Sequence, residues 1–261
     1  MNQNKEIIQK IMQKTEFSRL PVKDVELAFS KFERRQTSEE EKIRLTRELL
    51  HKVFGAFGSR KLLTGKNLDK EPSWVLNKHL STRERIPMYK EIYKRILKNT
   101  PKNISVIDLG AGINGLSYSY FIKAGKKVRY SGVEAVGQIV DLTNNYFKKQ
   151  KINAKLVHGS LFDLDTVKTM IKKMPNPKVI FLFKTIDSLE MMQKDYSKKL
   201  LLELAPLSEK IVVSFATESF NKRTRFKVKR YWILSFIEEN FKITDSFELG
   251  GEMYIVFENK K

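Results

Sequence analysis

The chain contains no cysteine and only three histidines, His51, His79 and His158, widely spaced along its 261 residues. That excludes disulfides, thiolate metal sites and cysteine nucleophiles, and it argues against a histidine metal site. No apolar run reaches the length of a bilayer span, and Met1-Asn-Gln-Asn-Lys-Glu6 carries no apolar signal region, so a soluble, cytoplasmic protein is expected. There is no internal repeat and no low-complexity tract. Acidic residues are the minority charge: 30 Asp+Glu against 50 Lys+Arg leave a formal charge of +20. Such an excess points to a polyanionic partner, nucleic acid before anionic membrane. Hydrophobic residues make up 41%, enough for a real core in one large or two small domains.

What is present centres on Ser105-Val-Ile-Asp-Leu-Gly-Ala-Gly-Ile-Asn-Gly115. A short apolar run carries Asp108 and then breaks into Gly110, Gly112 and Gly115, which reads as a strand, a tight turn and a helix start. About twenty residues on, Val128-Arg-Tyr-Ser-Gly-Val-Glu134 ends a second strand in an acid placed to accept two ribose hydroxyls. Two cofactor classes share this layout. A dinucleotide brings a pyrophosphate, which Asp108 would repel. S-adenosylmethionine has no phosphate and a cationic methionine end, which Asp108 suits. The acid in the turn therefore favours S-adenosylmethionine.

Residues 1–78 read as helical and basic. Ile7, Ile8, Ile11 and Met12 form one apolar face, and a second helix follows Pro21 with Val22, Val25, Leu27, Ala28 and Phe32. Ser38 and Glu41 make a capping box for a third. Lys31, Arg34, Arg35, Lys42, Arg44, Arg47 and Lys52 mark the polar faces, suited to RNA phosphates or simply to solvent. Ser81 and Glu84 are spaced as another capping box, and Pro87 predicts either a helix starting near it or an irregular first turn. From Ile104 the pattern alternates: strands near 104–109, 128–134, 154–158, 178–183 and 210–215, helices near 114–124, 136–149, 163–173, 188–204 and 229–240. Two last strands, near 242–248 and 252–258, meet at Gly250-Gly251. This predicts a doubly wound parallel sheet with one antiparallel strand from a closing hairpin. Asn221-Lys-Arg-Thr-Arg-Phe-Lys-Val-Lys-Arg-Tyr-Trp232 has six basic residues and no acid, interleaved with aromatics, as phosphate gripping and base stacking require. Tyr231 and Trp232 are expected to lie partly in the core.

Five pieces resemble the Arm-type, FmrO-like family of aminoglycoside-resistance 16S rRNA (guanine-N7) methyltransferases: His79-Leu-Ser-Thr-Arg-Glu-Arg-Ile86, Asp108-Leu-Gly-Ala-Gly-Ile-Asn114, Phe183-Lys-Thr-Ile-Asp-Ser-Leu-Glu190, Val213-Ser-Phe-Ala-Thr217 and Gly250-Gly-Glu-Met-Tyr-Ile255. They occur in the family's order and at similar intervals. The resemblance implies an α/β fold of the class I S-adenosylmethionine-dependent methyltransferase type. That fold is Rossmann-like, with a seven-stranded sheet and a C-terminal antiparallel hairpin. The implied domains are a helical, basic rRNA-binding domain at 1–78 and the methyltransferase domain at 79–261.

The implied cofactor site comprises Thr82, Arg83, Arg85, Asp108, Gly110, Ala111, Gly112, Glu134, Ala135, Ser160, Leu161 and Phe183. Within it Arg83 or Arg85 would hold the cofactor carboxylate. Ser160 would lie by the adenine, where the family more often carries an acid. Lys184, Phe215, Arg223, Arg225 and Phe226 are implied to position rRNA and the target base, with no general base and no metal. The implied partner is the small ribosomal subunit with its 16S rRNA, and a monomer is expected. The substrate half departs from the family: its Ser-Phe-Pro-Thr-Arg is here Ser214-Phe-Ala-Thr-Glu218, its glycine-rich loop is Asn221, Lys222, Thr224 and Phe226, and a methionine is Lys227. Alternative readings are a methyltransferase for another rRNA or tRNA nucleotide, such as adenine N1, or a non-catalytic RNA-binding protein that keeps the cofactor fold.

Overall fold

The computed structural model describes residues 2–55, 70–78, 80–217 and 230–260. Seven strands, β1 (Asn103–Leu109), β2 (Lys127–Glu134), β3 (Ala154–His158), β4 (Lys178–Phe183), β5 (Lys210–Ala216), β6 (Phe241–Leu249) and β7 (Glu252–Asn259), form one sheet in the order β3-β2-β1-β4-β5-β7-β6. Strands β1 to β5 pair parallel; β7 runs antiparallel to both β5 and β6. The order reverses between β1 and β4, which opens a crevice at the carboxyl ends of those strands.

Alternation along each strand sends side chains to two cores. Ile107, Leu109, Ile180, Leu182, Ile211, Val213, Phe215, Ile255 and Phe257 pack on one face, against α9 (Leu164–Lys173), α10 (Ile186–Met192), α11 (Tyr196–Leu204) and α12 (Tyr231–Asn240). Val106, Phe181, Phe183, Val212, Tyr254 and Val256 pack on the other, against α6 (Tyr89–Ile96), α7 (Tyr118–Lys123) and α8 (Gly137–Lys149). The helix expected over 188–204 is two helices. Asp195 takes a left-handed conformation (φ 60°) between α10 and α11, and the Glu190 carboxylate accepts the Asp195 and Ser197 backbone N–H groups at 2.7 and 2.9 Å. At Pro87 the irregular turn is what forms: α5 (Leu80–Arg85) passes into a single 3-10 turn, Ile86–Met88, before α6.

The N-terminal helices α1 (Asn2–Met12), α2 (Val22–Glu33) and α3 (Glu39–Leu50) are placed as their periodicity predicts, and Glu41 N–H donates to Ser38 Oγ at 3.2 Å. The last of them continues into a π-helical turn, His51–Gly55. Their apolar faces do not close on themselves. Ile7, Ile11, Val25, Ala28 and Leu50 share one cluster with Ile113, Leu116, Val136 and Ile139 of the sheet domain. Polar contacts secure the same seam: the Gly137 N–H donates to Arg19 O (3.2 Å), Gln138 Nε2 to Thr15 O (2.8 Å), and Arg19 pairs with Asp141. His158 Nε2 spans it too, 2.8 Å from Arg19 O and 2.9 Å from Ala135 O. The helical segment therefore lies directly over the ends of β1, β2 and β3. Helix α4 (Pro72–Lys78) leads into α5.

Candidate functional site

One pocket opens at the switch point, walled by the carboxyl ends of β1, β2 and β4 and roofed by α2 and the His51–Gly55 turn. At its floor Asp108 is fully buried. Asn114 Nδ2 and the Tyr130 hydroxyl both donate to Asp108 Oδ2 (2.7 and 2.8 Å), and the Tyr89 hydroxyl in turn holds Asn114 Oδ1 (2.8 Å). Among the described residues Oδ1 of Asp108 accepts nothing. Burial pushes this carboxyl above its ordinary range, opposed by the two donors and by the Arg85 charge. The turn that follows needs glycine: Gly110 and Gly112 have φ of 74° and 50°, and a Cβ on Gly110 would meet Thr185 Oγ1 at 2.8 Å.

Glu134 ends β2 with Oε2 accepting the Gly112 N–H and Oε1 the Val136 N–H, both at 2.8 Å. Each oxygen keeps a lone pair for a further donor. Burial raises the Glu134 carboxyl, opposed by these backbone N–H groups.

Across the pocket Arg85 is buried and bidentate on Glu252: Nε to Oε2 at 2.9 Å and Nη2 to Oε1 at 2.8 Å. Its guanidinium lies over the Phe183 ring, 4.9 Å from the centroid. Arg85 lines the pocket, and the Tyr89 and Tyr254 hydroxyls lie beside its guanidinium. Glu252 is 0% exposed; it also accepts from Ser214 Oγ and lies 3.5 Å from Lys184 Nζ, which reaches Glu84 at 2.9 Å. Burial alone would raise the Glu252 carboxyl, but the charges of Arg85 and Lys184 outweigh it and hold it below its ordinary range. Lys184 itself sits at φ 55°, its backbone N–H donating to Ser214 at the end of β4.

The pocket thus offers an open carboxylate oxygen and a guanidinium at one end and a second carboxylate in the middle. That donor set fits a ligand with an ammonium, a carboxylate and a vicinal diol. It does not fit a pyrophosphate, which Asp108 would repel. A comparison with family models matches residues 64–233 to "Ribosomal RNA methyltransferase (FmrO)". The chain belongs to this FmrO ribosomal RNA methyltransferase family. Two curated proteins resemble it, both named 16S rRNA (guanine(1405)-N(7))-methyltransferase. One, from Proteus mirabilis, is 24% identical over 70% of this chain and 63% of its own length. The other, from Micromonospora rosea, is 25% identical over 60% of this chain and 54% of its own. These matches thus span less than two thirds of the curated relatives' length. A crystal structure of the 16S rRNA methyltransferase RmtF in complex with S-adenosyl-L-homocysteine superposes with a TM-score of 0.80 at 19% identity, covering 98% of both chains, and so shares the fold.

In this FmrO-family chain the residues named from the sequence divide. Thr82, Arg85, Asp108, Gly110, Ala111, Gly112, Glu134, Ala135, Leu161, Phe183 and Lys184 line the pocket together. Arg83 does not: it is exposed and outside the lining, because two residues along a helix turn the side chain by roughly 200° from Arg85. Phe215, expected at the target base, is 1% exposed in the core with Ile211 and Val213, as the strand period dictates. Ser160 lies behind the lining, its hydroxyl donating to Asp24. Arg223, Arg225 and Phe226 fall outside the described residues. Arg230, the sixth base of that stretch, is buried on Asp187 and Ala216 O and anchors the start of α12. Tyr231 and Trp232, expected partly in the core, are 63% and 36% exposed instead.

Sequence reasoning missed Glu252, although it lies in one of the quoted motifs, and Asp24, which reaches the pocket from α2. Asp24 had a signal: it falls one residue before Val25 and four before Ala28, on the apolar face of α2. Burial raises its carboxyl to about 6, opposed by the Ser160 hydrogen bond and reinforced by Glu134. Because the folded value lies above the unfolded one, the folded state holds the proton more tightly. The cost of the charge is absent below about pH 4 and complete above about pH 6. Asp24→Asn is therefore expected to melt at a higher temperature than the parent at pH 7.5. The advantage should vanish near pH 4, as thermal scans across that range would show.

Proposed function

We propose that the chain is an S-adenosylmethionine-dependent methyltransferase that modifies 16S rRNA of the small ribosomal subunit at guanine N7 in the decoding site, as the names of its relatives indicate. The observation that carries the cofactor reading is the buried Asp108, whose open oxygen faces the pocket where a dinucleotide would need a positive cradle. S-adenosylmethionine, when bound, supplies an electrophilic methyl group on a sulfonium. Asp108 would meet its ammonium, Arg85 its carboxylate and Glu134 its ribose hydroxyls.

Guanine N7 carries an in-plane lone pair and loses no proton on attack, so the reaction asks for no general base. Asp108, Arg85 and Glu134 would hold the methyl donor so that its methyl group could meet N7 in line. The protein's work is orientation and exclusion of water, which falls to the pocket walls at Phe183 and Lys184 and to the helical roof. Holding a target nucleotide out of folded rRNA requires phosphate contacts. The exposed Lys31, Arg34 and Lys52 remain available for this. Arg44 and Arg47 do not, since Glu41, Glu48 and the carbonyls of Lys10 and Ile11 already hold them.

The reading is tested by methyl transfer from labelled S-adenosylmethionine to purified small subunits, followed by mapping of the modified nucleotide. We expect 7-methylguanosine in the decoding site; methylation at another nucleotide would overturn the target while keeping the enzyme. Arg223 and Arg225 are assigned to the phosphate grip. The double alanine variant should bind subunits more weakly and lower the salt slope of binding, log K against log[salt], by roughly 1.5 to 2, while S-adenosylhomocysteine binding stays at the parent value.

A further inference from the structure

Asp24 is 1% exposed, acidic and part of the pocket lining, and nothing in methyl transfer uses it. Its position follows from the sheet order. Moving outward from the switch point, β1 brings Asp108 and the glycine turn, β2 brings Glu134, and β3 brings the loop that carries Ser160 and Leu161. A nucleoside whose amino-acid end lies at Asp108 and whose ribose lies at Glu134 must place its base beside that third loop. There the walls are apolar, from Ala135, Val136, Ile139 and Leu161, and Asp24 reaches in from α2. Glu16, the other acid on this side, lies at the mouth, where the pocket meets an outer groove near His51.

We propose that Asp24, held by Ser160, reads the base of the cofactor by accepting the exocyclic amino group of adenine on Oδ2. The helical N-terminal segment then completes the cofactor site. The proposal rests on the cofactor reading above. Ser160 Oγ donates to Asp24 Oδ1 and accepts the Phe162 N–H at 3.0 Å, which fixes the direction of the carboxylate. Among the described residues Oδ2 has no hydrogen-bond partner. An apolar slot with one aimed acceptor is what recognition of an aminopurine requires. The charge is kept although burial works against it, and the groups around it do not neutralise it: Glu134 opposes it, while Lys23 and His158 favour it weakly. An ionised carboxylate retained against a cost in stability marks a working group more often than a structural one.

The test is calorimetric binding of S-adenosylhomocysteine and of its deaminated analogue, S-inosylhomocysteine, to the full-length protein. The analogue turns a carbonyl oxygen toward Oδ2 in place of the amino group. The parent should prefer the adenine compound by roughly tenfold or more. In Asp24→Asn, Ser160 still donates to the side-chain oxygen, so the amide NH2 faces the base. Affinity for S-adenosylhomocysteine should fall roughly tenfold or more and the preference should reverse toward the inosine compound. Ser160→Ala, which leaves the carboxylate unaimed, should weaken S-adenosylhomocysteine binding without reversing the preference. A structural role for Asp24 would move melting temperature and not base preference. An unchanged preference in Asp24→Asn would overturn the proposal alone. A parent protein that binds neither compound would overturn the cofactor reading with it.

Discussion

Arg85→Ala is expected to cost about 3–5 kcal/mol of folding stability, because it leaves a buried carboxylate without its partner. Glu252 would keep only the Ser214 hydroxyl and a lysine 3.5 Å away that Glu84 also claims. Urea unfolding would report the loss as a lower midpoint with an unchanged slope. The paired replacement Arg85→Met with Glu252→Leu separates stability from function. Replacing both charges by apolar side chains of similar volume is often neutral or stabilising, so the double variant should unfold near the parent midpoint. It should nevertheless bind S-adenosylhomocysteine far more weakly, since the guanidinium proposed to meet the ligand carboxylate is gone. A double variant with parental affinity would show that Arg85 serves only the fold. The pH response has a definite sign as well. Glu252 is held below its ordinary range, so its contribution is present at neutral pH and fades as pH falls through that lowered value, opposite to the behaviour of Asp24.

Asp108→Asn is expected to leave the fold intact and to weaken S-adenosylhomocysteine binding by roughly ten- to a hundredfold, the worth of one charge-assisted hydrogen bond. The amide oxygen of asparagine can still accept from Asn114 and Tyr130, which both address Oδ2. The amide NH2 would then take the place of Oδ1 and face the ligand's ammonium donor to donor. Because burial already raises the Asp108 carboxyl, removing its charge should not lower the melting temperature. Calorimetry on the variant beside a thermal scan would check both halves of the expectation. Parental affinity would mean that the methionine end is held from elsewhere, with Arg85 the first place to look.

The seven strands were legible because their signals are local. Val106-Ile107 before Asp108, Phe181-Leu182-Phe183 after Val179-Ile180, and the Gly250-Gly251 turn each announce a strand or a reversal within a few residues. The break at Gln193–Asp195 was not legible, because it depends on Glu190 reaching forward to cap the next helix. Arg83 and Arg85 looked equivalent as neighbours in one motif, and only the orientation of α5 against β7 separates them. Phe215 was drawn to the target base by its place at a strand end, whereas its parity along β5 sends it into the core.

By itself the sequence determined the element order, the strand-turn-helix carrying Asp108 and Gly110, and the acid at the end of β2. These are properties of contiguous residues whose spacing sets their geometry. The tertiary structure alone decided which distant charges meet. Glu252 reaches the carboxyl ends of the parallel strands because β7 runs antiparallel, so its first residue pairs with Ala216, the last of β5. Asp24 reaches the loop after β3 because α1, α2 and α3 bury their apolar faces on the sheet domain rather than on each other alone. Neither contact leaves a trace in the spacing of residues 136 or 167 positions apart, since both arise from which surfaces the chain must cover to exclude water.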